Sequence, residues 1–145
     1  MDLPPVEPIT YQMLEEVSQI TQTPVLGLYL ILQVEGGTTG ECVPRKYNSD
    51  CGPFQVNTMH FDELHSEFGL TRHNIVSSTK GNALAAGAIL NRKLKICIKR
   101  NYDWFGRIAC YHNFNAPHRD RYRKRLIEHA KLILTDEQLA RYFVK

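Results

Sequence analysis

Apolar positions along the chain recur with helical rather than strand spacing. From Tyr11, "YQMLEEVSQI" places Leu14, Val17 and Ile20 on one face, with Thr10 positioned to cap. "TQTP" interrupts, and Thr23 can cap a second helix with Pro24 at its first position, where the missing N–H costs nothing. "VLGLYLILQV" is apolar on nearly every side, which predicts a central, buried helix. Gly36 and Gly37 end it, because glycine accepts the left-handed C-cap geometry. Residues 38–52 are polar and rich in turn formers, so they read as a loop holding at most a short hairpin. In "NTMHFDELHSEFG", Asn57 or Thr58 can cap, Phe61, Leu64 and Phe68 share a face, and Gly69 terminates. "GNALAAGAILNRKL" is a further helix whose small residues allow a neighbouring backbone to come close, with some propensity lost at Gly87. Asp103 caps "WFGRIACY". Tyr122, Leu126, Ala130 and Ile133 line one face of a long basic helix. "TDEQ" at Thr135 has capping-box form and opens a last helix running to the C-terminus.

No stretch shows sustained strand alternation, and no internal repeat is visible. The expectation is an extended lead-in over residues 1–9, which hold three prolines, and one all-α domain over 10–145. It would have about six or seven helices and be α+β only to the extent of a small hairpin.

Length and composition fit that picture. A chain of 145 residues, 43% of them hydrophobic, suits one domain with a core that needs no metal or disulfide. No run reaches the roughly 18 apolar residues of a membrane span. The longest, Val25 to Val34, is interrupted by Gly27 and Gln33. The start "MDLPPVEP" has neither the basic nor the apolar region of a signal peptide. The formal charge of +3 gives only a weak preference for anionic partners, although Arg119 to Lys131 holds six basic residues against two acids. Cys42, Cys51, Cys97 and Cys110 fit two disulfides in any of three pairings, or four buried thiols. The six histidines show no metal-ligand spacing and no CxxC or HExxH occurs, so neither metal nor cofactor is expected.

Glu35 stands out because it ends the apolar helix. The partial negative charge of a helix C-terminus and burial beside apolar residues both disfavour its anion. That suits a general acid that must hold a proton near neutral pH. A solvated carboxylate at an exposed helix end is the plain alternative.

The residues around Glu35 resemble the SLT-type lytic transglycosylases, most closely the small stand-alone kind associated with secretion, conjugation and pilus machines. The carriers are Glu35-Gly36, then Gly52, Pro53, Phe54, Gln55, Val56 and Asn57, with Asp50 two residues before Gly52. "NALAAGAIL" from Asn82 and "WFGRIACYHN", with Tyr111, follow in family order. The likeness spans about Thr10 to Leu126. Departures are Gly36 where Ser is frequent, Phe54 where Met is usual, and Asn113 after Tyr-His; Cys42 and Cys51 have no assigned counterpart.

The resemblance implies a lysozyme-like fold and one catalytic carboxylate, Glu35. The substrate would be the peptidoglycan bond between N-acetylmuramic acid and N-acetylglucosamine. Glu35 would protonate the glycosidic oxygen and then accept the proton of the muramoyl 6-hydroxyl as a 1,6-anhydro ring closes. This departs from the two-carboxylate scheme of most glycosidases. Asp50 is the challenger for a second carboxylate, against a role as an Asx-type loop brace. Gln55 would bind substrate or hold the loop. Tyr111 would sit opposite Glu35, or be a core aromatic. Asn82 is a substrate ligand or, more simply, a cap or brace. Phe54 would stack on a sugar or fill the core. Asn57, closing the motif, joins the substrate-binding set.

The working compartment would be the periplasm or cell envelope, and components of a secretion or conjugation machine would be partners. Three other functions fit less well. One is a lysozyme-like hydrolase, and another an inactive domain that binds glycan or a partner. The third is a DNA-binding helical module built on the basic helix; the apolar face of that helix argues against a nucleic-acid partner.

Overall fold

Helix α1 (Tyr11–Thr21) begins where the Thr10 hydroxyl accepts the Met13 N–H, satisfying one of the donors that a helix start leaves open. It buries Met13, Leu14 and Val17; Ile20, expected on that face, is exposed. The computed structural model describes residues 2–145, and they fall into two compact units, one reaching to Ala88 and one from Ile89 to Lys145.

In the first unit the lead-in is irregular and is tied down by hydrogen bonds from Thr79 N–H to Pro5 O and from Glu7 N–H to the Thr79 hydroxyl. Helix α2 (Val25–Glu35) is capped by Pro24 rather than Thr23. The Thr23 hydroxyl instead bonds that of Thr21 at 2.8 Å, and its carbonyl accepts from Ser18. Gly27, Leu28, Leu30, Ile31 and Val34 of α2 are buried. Gly36 ends it at φ +56°.

The polar loop folds into more than a hairpin. Strands β1 (Cys42–Pro44), β2 (Ser49–Cys51) and β3 (Val56–Asn57) form an antiparallel sheet in chain order. Cys42 lies directly opposite Cys51, and the two are disulfide-bonded. Asn57 caps a single 3-10 turn (Thr58–His60) that leads into α3 (Phe61–Phe68), closed by Gly69 at φ +70°. Phe61 and Leu64 are buried as expected, but Phe68 is exposed and Leu70 takes the inner position. Helix α4 (Arg72–Ser77) is an addition to the expected set; a reciprocal capping box between Thr71 and Asn74 starts it. Helix α5 (Thr79–Cys97) runs from the first unit into the second.

In the second unit a Cys97–Cys110 disulfide ties the end of α5 to the residue after α6 (Trp104–Ala109). No cysteine among the described residues is free. Asp103 caps α6 by accepting the Gly106 N–H at 2.8 Å. It also takes two hydrogen bonds from Arg123 on α7 (Ala116–Ala130). Tyr122, Leu126 and Ala130 form the buried stripe of α7, while Ile133 lies beyond its end and is exposed. The Thr135–Gln138 capping box opens α8 (Asp136–Ala140), a shorter helix than expected. A 3-10 turn (Arg141–Phe143) follows and packs Tyr142 on Trp104 at 4.8 Å and Phe143 on Phe105 at 5.7 Å.

The protein is thus mostly helical with one small sheet, and among the described residues no helix is long and apolar enough to cross a membrane. Gly87 shows how tightly the first unit packs. A Cβ there would lie 2.5 Å from Thr21 Oγ1, and Thr21 is held by its bond to Val17 O at 2.7 Å. Gly87→Ala would gain about 1 kcal/mol in helix propensity, yet overpacking costs about 1–3 kcal/mol. Urea unfolding should therefore show a destabilised variant; a more stable one would contradict this packing.

Candidate active site

The candidate site is built around the C-terminal end of α2. Glu35 is its last residue and is half-buried. The next two glycines turn the chain under the loop that joins β2 to β3. Gly37 N–H donates to Pro53 O at 3.3 Å. A Cβ on Gly37 would lie 2.0 Å from Gly52 O and 2.5 Å from Gln55 Nε2, so only glycine fits. The Gln55 side chain thus comes back to the chain two residues beyond Glu35.

Residues 52–55 form the turn itself. The Gln55 N–H and its side-chain amide both donate to Gly52 O, each at 3.0 Å. Gln55 adopts φ +49°, and Gly52 φ +76°. A left-handed glutamine costs about 1 kcal/mol or more. Such a conformation persists only when the surroundings dictate it.

Asn82 supplies much of that dictation. It is 0% exposed and projects from α5 under the turn. Its Oδ1 accepts Phe54 N–H at 2.9 Å, and its Nδ2 donates to Cys51 O at 2.9 Å and Ile75 O at 3.0 Å. A Cβ on Gly52 would lie 2.4 Å from Asn82 Nδ2. The turn is therefore clamped between Asn82 on one side and Gly37 on the other.

Several residues expected to face substrate have other work. Phe54 is 0% exposed: it fills the core and has no ring face open to a sugar. Asn82 is occupied as a brace. Asp50 accepts Arg45 Nε at 2.7 Å on one oxygen and Asn57 Nδ2 at 2.8 Å on the other. Asn57 also donates to Asn48 Oδ1 at 2.9 Å and caps the 3-10 turn through Met59 N–H at 2.9 Å. Asp50 and Asn57 thus brace the sheet.

Tyr111 belongs to the second unit, in the turn after α6, and is 7% exposed. Its carbonyl accepts a hydrogen bond from Lys93 Nζ at 2.8 Å. Lys93 also lies 5.5 Å from the Phe114 ring centroid. Burial, and secondarily the charge of Arg92, lower its pKa from 10.5 to about 8. Nothing in the sequence singled out Lys93, one of several basic residues in "NRKLKICIKR". Gly37 was legible only as a helix terminator, not as the seat of the turn.

Around Asp103, burial pushes the carboxyl up. The Arg123 hydrogen bonds, the Gly106 N–H and the charges of Arg123 and Lys145 outweigh it, and the net shift is downward. Among the described residues no cluster of three or more His, Cys, Asp or Glu side chains could hold a metal. Compared with known proteins, the chain matches no family model. It also matches no curated protein sequence.

Two outcomes follow. Asn82→Ala leaves Phe54 N–H, Cys51 O and Ile75 O without this partner, at about 1–3 kcal/mol for each buried group left unsatisfied. Chemical denaturation should show a loss of several kcal/mol for Asn82→Ala, and no smaller a loss for Asn82→Asp, whose acceptor-only carboxylate would face the carbonyls of Cys51 and Ile75 in the interior. For Lys93, the folded state binds fewer protons than the unfolded state between about pH 8 and 10.5. Stability then rises with pH across that window. The stability of the wild type relative to Lys93→Met should increase from pH 8 to 10.5; a flat difference would sink the assignment.

Proposed function

We propose that the protein cleaves peptidoglycan glycan strands as a lytic transglycosylase, with Glu35 as its single catalytic carboxylate. The observation that carries this reading is the clamped turn, which returns Gln55 to the Glu35-Gly36-Gly37 corner. The sequence motif and this local geometry coincide at the same residues.

The chemistry is compatible with the position. The negative end of α2 and partial burial disfavour a carboxylate anion, so Glu35 is suited to holding a proton. It donates that proton to the glycosidic oxygen as the bond from muramoyl C1 breaks. The muramoyl 6-hydroxyl then bonds to C1 and returns a proton to Glu35. No water is consumed, and the acid is regenerated. Asp50, the nearest rival in the motif, has both oxygens engaged in the sheet, which favours a one-carboxylate scheme over a two-carboxylate hydrolysis. Gln55 is assigned to holding or orienting the sugar.

The reading extends to a lysozyme-like fold and to one functional domain over residues 10–145. Two disulfides suit an oxidising compartment, in keeping with the periplasm or cell envelope. A secretion or conjugation apparatus that needs a local opening in the wall is the proposed context.

Digestion of purified peptidoglycan, followed by mass spectrometry of the muropeptides, tests the proposal. Anhydro-muramoyl ends are expected from the wild type, with at least about a thousandfold loss in Glu35→Gln, the upper range of a missing acid–base group combined with lost charge stabilisation. Reducing ends would replace this reading with the hydrolase. Absence of any product from folded wild type would leave a glycan- or partner-binding domain.

A further inference from the structure

A second concentration of chemistry lies on α7, within the second unit. A cavity of about 240 Å³ is lined by His112, His118, Arg121, Tyr122 and Arg125. Four of these come from one helix at i, i+3, i+4 and i+7 spacing, which puts them on a single face. The fifth, His112, follows Tyr111 and stacks on Tyr122, with ring centroids 4.7 Å apart and planes 5° from parallel. Tyr122 is 2% exposed, so the ring that positions His112 is itself fixed in the core.

We propose that this pocket binds one oxyanionic group, a carboxylate or a phosphate. Its lining comprises two guanidinium groups, two imidazoles and a phenol; no carboxylate lines it. Guanidinium forks match the geometry of both anions. Arg121 Nη2 lies 2.9 Å from His118 Nδ1. Arginine only donates, so His118 accepts there and the proton of its neutral ring is on Nε2, a further donor. The bond also holds Arg121 in place.

The volume of about 240 Å³ lies below the roughly 300–1,000 Å³ of pockets for drug-sized molecules, in keeping with one small anionic group. A neighbouring cavity of about 340 Å³ makes the contrast. It is lined by Asp103 and Asp120 as well as Arg119 and Arg123, and its central charges are already matched by the Arg123–Asp103 pair. The α7 pocket differs in that no aspartate or glutamate is among its lining residues. This site stands independently of the Glu35 reading.

The test is NMR titration of the full chain, following the His112 and His118 ring signals at constant pH and ionic strength. Sodium phosphate is one probe and N-acetyl-D-alanine, which offers a single carboxylate, is the other. Saturable shifts of both rings are expected with at least one probe, and which probe saturates identifies the source. Arg121→Gln/Arg125→Gln should weaken binding about tenfold or more, as expected for lost charge-assisted hydrogen bonds. Lys124→Gln/Lys131→Gln removes the same charge outside the pocket and should leave binding within about twofold. Circular dichroism checks that both double variants keep their helix content. The proposal is overturned by linear, unsaturable shifts with both probes, or by equal weakening in the two double variants.

Discussion

One buried amide organises the first unit. Asn82 satisfies three backbone groups from two separate segments, Cys51 and Phe54 around the turn and Ile75 at α4. Without such a partner, the turn would bury polar groups at a cost that a small sheet of two- and three-residue strands has little packing to offset. With it, the turn becomes rigid enough to hold Gln55 at φ +49° and to serve as the surface against which Gly37 is seated. The position of Glu35 thus depends on α5, through the turn that Asn82 braces. Precision at a helix end is usually poor, because helix ends fray. Here the end is built into a turn that is braced from behind.

The second unit is organised by a charged pair in a comparable way. Asp103 serves two elements at once, capping α6 through Gly106 and receiving Arg123 from α7. The 7% exposure of its side chain means that the two charges depend on one another. The same pair takes Arg123 out of the uncompensated charge of α7. Charge counts along that helix therefore overstate the positive surface it presents.

Local chemistry was the most legible part of the chain. Thr10, Asp103 and the Thr135–Gln138 box cap the helices they were expected to cap, because a cap requires only residues within three positions of each other. Gly36 and Gly69 end helices for the same local reason. Periodicity was less complete. It identified the helices but could not fix the edge of each buried face, so Ile20, Phe68 and Ile133 are exposed. Those edges depend on which neighbour packs there. Helix α4 has six residues, too few for a period to show, and β3 has only two. At the candidate site, the motif drew attention to residues 35–57, while the division between braces and exposed groups needed three dimensions. Asn82 and Phe54 look like ligand candidates in a string of letters and become interior parts once burial is known.

The Cys42–Cys51 bond closes the hairpin at its base, where Gly52 N–H also donates to Glu41 O at 2.9 Å. The tip beyond it is closed by Arg45 N–H to Asn48 O at 2.7 Å and exposes Tyr47. Changes confined to Lys46 and Tyr47, which keep the Arg45–Asp50 and Asn48–Asn57 contacts, end at the crosslink and leave the turn at residues 52–55 in place. The tip is therefore a place where related chains can diversify, or where a foreign peptide can be displayed, while the architecture beside Glu35 is inherited unchanged.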